Sequence, residues 1–497
     1  MDDENTIYCP SSIVHRPSSI VRRPPSTVHR PPSMLQAPPR VNPQSAIRNP
    51  QSKRGFWANI RRYRWTEFRL LLVPSLLSII GMLMVILVPV GAVQWQWTDL
   101  WMSFLFIGLL YGFHFWLNFA RPAADQTLLP LVATLTVLGL VMIQRLEPAL
   151  LEGFRGIANK QVLWIAAGML AMWVTVAFLR DLNWLRRYKY TFALGGIILV
   201  AATLVFGSDG GSGTGVRLWF NFGFFQFQPS ELLKVLLVIF LAGYLDDKRE
   251  LLARGWRIGP ISLPPLPYLA PLLLLWAFAL VLFVVQRDLG SALLFFGIFL
   301  ALLYVASGKP FYVVGGLLLF FSAAYLLNNV LASQFTHIQK RINIWLNPWP
   351  VGQDDGFQIV QSLFALASGG VFGKGIGFGA PGIIPAVHSD MVISAIGEEL
   401  GLAGTLAVIA LFMLLVYRGY SIAFQARSGY EQLLAVGLTT VLGLQAIIIM
   451  GGAIKMIPLT GITLPFISYG GSSLITNFII VGLLLRISAS GKGNMLR

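Results

Sequence analysis

The stretch LLLVPSLLSIIGMLMVILVPVGAV, residues 70–93, carries no charged side chain and is long enough to cross a bilayer as a helix. Comparable uncharged runs recur at Phe311–Ala332 and Gln432–Ile454. The rest of the 497-residue chain agrees: 56% is hydrophobic and only 12% is charged, with a mean hydropathy of +0.69. A soluble domain carries roughly 25% charged residues. The expected fold is therefore an all-α polytopic membrane protein of about twelve transmembrane helices. They begin near Leu70, Leu100, Thr127, Val162, Tyr190, Glu231, Tyr268, Leu289, Phe311, Met391, Leu433 and Gly470.

A net charge of +16 raises the question of nucleic acid, and its placement answers against it. Residues 1–69 hold 12 Lys and Arg against 4 Asp and Glu, and other basic residues cluster in short loops such as LRDLNWLRRYK and DDKRELLARGW. Clusters of that kind beside helix ends follow the positive-inside rule. With the basic N-terminus inside, alternation puts Arg121, Arg180–Lys189, Lys248–Arg257, Lys309, Arg418, Arg427 and the C-terminal RISASGKGNMLR inside as well. Both termini are then cytoplasmic. Cys9 stands alone, the five His make no zinc pattern, and no Walker loop or dinucleotide fingerprint occurs.

Residues 1–69 read as a separate region. PSSIVHR, PSSIVRR and PSTVHRP form a degenerate proline-rich repeat, which cannot build a core and is expected to be a disordered, dispensable tail. KRGFWANIRRYRWTEFR then leads into the bilayer as a basic, aromatic interfacial segment. Contact with anionic membrane lipid is the functional alternative for the tail.

The same alternation leaves three segments outside: GSDGGSGTGVRLWFNFGFFQFQPSE, a large loop at 333–390, and KMIPLTGITLPFISYGGSS. They hold most of the Gly, Pro and polar residues beyond the tail, so the working face is external. Arg287 and Asp288 lie at that face between two apolar runs, where ionised groups need a partner or a cavity. Asp288 could simply cap the helix that follows, which leaves Arg287 unexplained. Glu231 and Lys234 share one helix face three residues apart, and a cap alone would not require a lysine inside a span. Gly470, Gly471 and Ser472 could present amides to an anion or merely permit close packing. Glycines crowd around Lys374, and His388 and Asp390 stand at the mouth of the next span. Asp390 could be an N-cap or a general base. Glu398 and Glu399, two turns in, need at least one polar partner.

Taken in order, RLWF, FQPSELLK, QRDLGSA, GFQIVQSLFALASGGVFGKGIGFG, HSDMVISAIGEELGLAG and LPFISYGGSS resemble the shape, elongation, division and sporulation family, the RodA/FtsW/SpoVE proteins. The resemblance covers roughly residues 125–490. It implies a ten-helix glycosyltransferase core at 121–490, preceded by two extra helices at 70–120. It implies a peptidoglycan glycosyltransferase that polymerises lipid II at the outer face of the bacterial cytoplasmic membrane. Its partners would be a class B penicillin-binding protein, which is a transpeptidase, and the elongation or division complex, with no nucleic acid. The family's essential loop aspartate corresponds to Asp390, and its membrane-cavity trio falls on Glu231, Lys234 and Asp288. Trp219, with Arg217 beside it, matches the family's extracellular tryptophan segment.

A diphosphate leaving group needs cations or amides, for which Arg217, Arg341, Lys374 and the Gly470–Ser472 turn are candidates. Asp288 is expected to balance Lys234, so that the Arg287–Asp288 pair helps build a polar cavity. Two departures stand out: Arg287 replaces a proline common in the family, and Ala386 stands where many members have a glutamate. The second removes a carboxylate that a metal-bridged mechanism would use; no cofactor is expected beyond an optional divalent cation. A lipid II flippase and a non-catalytic scaffold for a transpeptidase are the rival readings.

Overall fold

The computed structural model of the chain describes residues 64–88, 97–150, 156–179, 181–209, 216–223, 225–250, 256–258, 261–263, 266–329, 336–352 and 356–492. Of the tail and interfacial segment expected at 1–69, residues 1–63 lie outside the described residues. The helices are α1 (Trp65–Leu87), α2 (Trp101–Ala120), α3 (Leu128–Leu146), α4 (Ile157–Phe178), α5 (Lys189–Phe206), α6 (Pro229–Asp247) and α7 (Leu266–Val285). They continue with α8 (Leu289–Ser307), α9 (Phe311–Asn329), α10 (Thr336–Leu346), α11 (Phe357–Gly369), α12 (Val392–Phe424), α13 (Gly429–Ala453) and α14 (Gly471–Lys492). One short helix, Asn183–Arg187, joins α4 to α5, and two small ribbons pair β1 (Phe220–Asn221) with β2 (Gln226–Phe227) and β3 (Trp256–Ile258) with β4 (Ile261–Leu263).

The chain is an all-helical polytopic membrane protein. Each of the twelve expected spans coincides with a helix; α10 and α11 belong to the segment before α12. Among the described residues nine helices are long and apolar enough to cross a membrane. The other three have local reasons. α6 carries Glu231, Lys234, Asp246 and Asp247, while the described apolar parts of α7 and α9 are Ala270–Val285 and Phe311–Ser322.

α3 and α13 are buried nearly all round and form the centre. α13 packs against α6, α8 and α12, and α4 lies along α14. Outward faces carry Leu76, Phe104, Leu170, Ile198, Leu274 and Leu318 rather than charges, as a hydrocarbon solvent demands. At one end of the bundle charged groups pair, Arg418 with buried Asp125, buried Lys189 with Asp247, and Arg186 with Asp247 at 2.7 Å. The fully buried Arg64 ties α1 there, donating to the Ala124 and Asp125 carbonyls at 2.7 Å each and pairing with Glu67, which also meets His114 Nδ1 at 2.9 Å. The opposite end holds the candidate site.

Two breaks position that site. α7 ends at a turn in which Arg287 takes a left-handed φ of 56°, and Asp288 starts α8 by accepting from the Ser291 amide at 2.9 Å. α12 is broken at Gly401, φ 69°. A Cβ there would come within 2.3 Å of the Gly373 amide nitrogen, so only glycine fits. The backbone groups freed by the break find partners in the 370–375 turn. Lys374 and Gly375 amides donate to the Glu398 and Glu399 carbonyls (3.0 and 2.9 Å), and the Leu402 and Ala403 amides donate to Gly370 and Val371 (3.0 Å each). Irregular backbone at this depth persists only when satisfied in this way. The glycine-rich stretch is thus the brace of a broken helix.

Candidate functional site

Asp390 sits in the turn before α12. Met391 occupies the cap position and no side chain caps the helix amides, so the capping alternative for Asp390 does not hold. Its carboxylate instead accepts from Gln358 Nε2 on α11 and from the Ser389 hydroxyl, both at 3.2 Å. Gln358 also donates to the Pro385 carbonyl at 3.2 Å, which pins the turn against α11. Ala386, at a left-handed φ of 52°, shapes that turn. Burial pushes the Asp390 carboxyl up to about 6; its own amide, Gln358, Ser389 and the Arg341 guanidinium hold it from rising further. A carboxylate poised there is suited to taking a proton near neutral pH.

Arg341 comes from α10 and reaches the Leu459 carbonyl at 3.4 Å. α10 is fastened by Trp345 Nε1 to the Lys455 carbonyl (3.1 Å) and by Lys455 Nζ to the Leu346 carbonyl (3.3 Å). The Arg341 guanidinium interacts electrostatically with two carboxylates, Asp288 and Asp390, without forming an ion pair with either. Burial pushes the Asp288 carboxyl up, and Glu231 adds to this, while the Ser291 hydroxyl (2.6 Å) and amide and Arg341 oppose it. Asp288 is therefore both a helix cap and a member of the charged cluster.

Two expectations are corrected here. Asp288 does not balance Lys234: Lys234 Nζ donates to Glu231 Oε2 at 2.6 Å and to Gln445 Oε1 at 2.8 Å, and no ion pair joins it to Asp288. The cation whose charge acts on Asp288 is Arg341. The reason is geometric, since positions three apart on α6 hold Glu231 against Lys234 and leave Asp288 to the loop. Nor is Arg287 part of a buried pair. Its left-handed backbone turns it outward and its side chain is exposed.

Beneath this cluster the polar chain continues through buried side chains. Gln445 Nε2 donates to the Thr463 carbonyl (2.8 Å), and the Thr463 hydroxyl donates to Ser473 (2.8 Å) at the start of α14. Ser472 accepts from the Gln228 amide at 3.0 Å, tying α14 to the entry of α6. Gly471 serves packing, because a Cβ there would meet the Trp164 indole at 2.4 Å; Gly470 lies against Thr463. The His388 carbonyl accepts from the Tyr469 amide (2.8 Å), and burial holds its imidazole below the ordinary histidine range, so it is neutral at pH 7. The Ser468 hydroxyl bonds the Ser389 carbonyl.

Other candidates stand apart from Asp390 in their bonding. Lys374 is paired with Glu398 at 2.7 Å, and Glu399 with Arg145 of α3 at 3.0 Å, which supplies the partners those two glutamates require. Exposed Arg217 reaches back to the Leu204 and Val205 carbonyls at 3.5 and 3.3 Å, and Trp219 bridges to Ser208. Sequence reasoning missed Arg145, Gln358 and Gln445. Gln445 is a lone polar residue inside an apolar run, which is the signal that could have found it, whereas Arg145 beside Gln144 and Gln358 near Gln361 stand among other polar residues. Among the described residues no three His, Cys, Asp or Glu converge as a metal site. What the cluster offers is a half-buried proton acceptor beside a cation that can hold an anion.

Residues 126–493 match the model of the FtsW/RodA/SpoVE family, described as cell cycle proteins. The chain is 37% identical over 430 residues to the peptidoglycan glycosyltransferase RodA of Mycobacterium tuberculosis, covering 86% of this chain and 90% of that protein. It is 35% identical over 376 residues to a probable peptidoglycan glycosyltransferase FtsW of Geobacter metallireducens, covering 74% and 96%. Among solved structures it resembles a chain from a peptidoglycan synthase complex described as coordinating polymerization and crosslinking (TM-score 0.60, 28% identity, 74% of this chain and 98% of that one). It also resembles the rod shape determining protein RodA of Thermus thermophilus (TM-score 0.53, 26% identity, 74% and 98%).

Proposed function

The chain belongs to the FtsW/RodA/SpoVE family, and from that premise we propose that it lengthens glycan strands with Asp390 as general base. It is a peptidoglycan glycosyltransferase. Lipid II serves as substrate at the outer face of the cytoplasmic membrane, where the Asp390 cluster lies, and both termini are inside. The acceptor's GlcNAc 4-hydroxyl gives its proton to Asp390 as its oxygen bonds the anomeric carbon of the donor MurNAc. The carbon–oxygen bond to undecaprenyl diphosphate breaks, and that group leaves with inversion.

One observation carries this reading: Asp390 is a half-buried carboxylate that caps no helix and shares the Arg341 charge with Asp288. When the diphosphate draws the Arg341 guanidinium, Asp390 loses a charge that lowers its proton affinity and becomes a stronger base. Glu231, Lys234 and Gln445 hold the helices that carry this cluster. A divalent cation would find at Asp390 one carboxylate and a facing guanidinium, a donor set that suits it poorly. Likeness to a chain of a peptidoglycan synthase complex supports a class B penicillin-binding protein as partner, within the elongation or division machinery.

Purified protein with its partner and fluorescent lipid II tests the reading. Polymer is the expected product; movement of lipid II between leaflets without polymer would mean a flippase, and neither would mean a scaffold. The pH profile gives a finer test. A base must be deprotonated, so the polymerisation rate should be full well above pH 6, half-maximal near about 6 and lost below it. Gln358→Ala removes a donor that favours the carboxylate. The acid limb should then move to higher pH at unchanged folding. An acid limb that ignores Gln358→Ala would detach it from Asp390.

A further inference from the structure

At the helix ends opposite the Asp390 cluster, Trp116, Ala120, Arg121, Val176, Ala177 and Arg486 line a cavity of about 390 Å³. The last turns of α2 and α4 and the far part of α14 build it. Two guanidinium groups facing one cavity repel each other, so each needs a reason to be there. Arg486 has one: its Nε donates to the Leu179 carbonyl at 2.8 Å, where a cation complements the end of α4. Arg121 has none. Its Nε is buried without a hydrogen-bond acceptor, and none of the ion pairs among the described residues includes it.

Two carboxylates, Glu431 and Asp181, act on Arg486, and neither forms an ion pair with Arg121. Asp181 accepts from the Asn183 amide at 2.9 Å; Glu431 accepts from the Ser490 hydroxyl at 2.9 Å and the Arg427 amide at 3.3 Å. Arg427 adds a further cation close by. The remaining wall is apolar: Ala120, Val176, Ala177 and the Trp116 ring, which lies 5.7 Å from that of Trp173. A ligand that complements both parts has an anionic head and an apolar body.

We propose that this cavity binds phosphate, supplied by the headgroup of an anionic phospholipid. Two arginines match phosphate oxygens in number and geometry, and a basic recess between membrane helices is a known form of headgroup site. The site is separate from the polymerisation cluster, and its occupant would lie in the opposite leaflet from that cluster.

The test uses the full chain in neutral detergent, read by native mass spectrometry with phosphatidylglycerol or phosphatidylcholine added. Phosphatidylglycerol should be retained preferentially, about fivefold less in Arg121→Gln, with Arg121→Lys keeping part of the preference. Arg121→Gln is the primary variant because Arg486→Gln would also remove the contact to α4. A third arm adds inorganic phosphate. If it binds in an Arg121-dependent way while the lipids are retained equally, the phosphate chemistry stands and its source is soluble. Equal retention of both lipids with no phosphate binding, or unchanged retention in Arg121→Gln, overturns the proposal.

Discussion

Asp390→Asn should slow polymerisation by about 10²–10⁴, the usual range for removing a general base. The variant keeps the shape of the side chain and can still meet Ser389 and Gln358, so the turn before α12 survives. Asparagine cannot take the proton. It also loses the negative charge facing Arg341, which should leave lipid II binding intact or slightly tighter. The measurement is polymer formed per unit time by wild type and variant, each with its transpeptidase partner and at matched thermal stability. A near-normal rate in Asp390→Asn would move the base to Asp288, the other carboxylate on Arg341.

The second large effect is on stability. Lys234→Met leaves Glu231 buried without its counter-ion and Gln445 without a donor to its carbonyl oxygen. Breaking a buried pair from one side costs roughly 3–5 kcal/mol, visible as a lower unfolding midpoint in detergent. Adding Glu231→Gln should recover part of that loss, giving a coupling of about 0.5–3 kcal/mol. Lys234→Met combined with Asp288→Asn should couple more weakly than that pair, because the two side chains form no ion pair and meet only through Glu231. A strong coupling between Lys234 and Asp288 would contradict the pairing described above.

The helices were legible because apolar runs long enough to span a bilayer have one solution in hydrocarbon, and α8 begins at Leu289 as its Asp288 cap implies. The Glu231–Lys234 pair was legible too, since three residues on one helix turn set the distance. Its third member was not. Gln445 is 211 positions away, and only the packing of α13 on α6 brings it to Lys234. Arg287 misled for a different reason. Its neighbours in sequence are apolar, but one left-handed φ decides that it faces outward, and hydropathy carries no dihedral angle. Asp390 stayed ambiguous between cap and base because both lie just before a helix; Gln358, from another element, settles its hydrogen bonding.

The interruption of α12 at Gly401 makes a joint between its 402–424 half and the short 392–400 half that follows the Asp390 turn. The 402–424 half is long and outwardly apolar, so it can tilt to accommodate hydrophobic mismatch when acyl chains shorten or lengthen. The 392–400 half is held by Arg145 and Lys374, while the glycine turn fastens both sides of the break, through the Glu398 and Glu399 carbonyls and the Leu402 and Ala403 amides. A tilt taken up at Gly401 would leave the turn that carries Asp390 in place. Polymerisation in vesicles of graded acyl-chain length should accordingly vary little, and a steep optimum would mean that the joint transmits tilt after all.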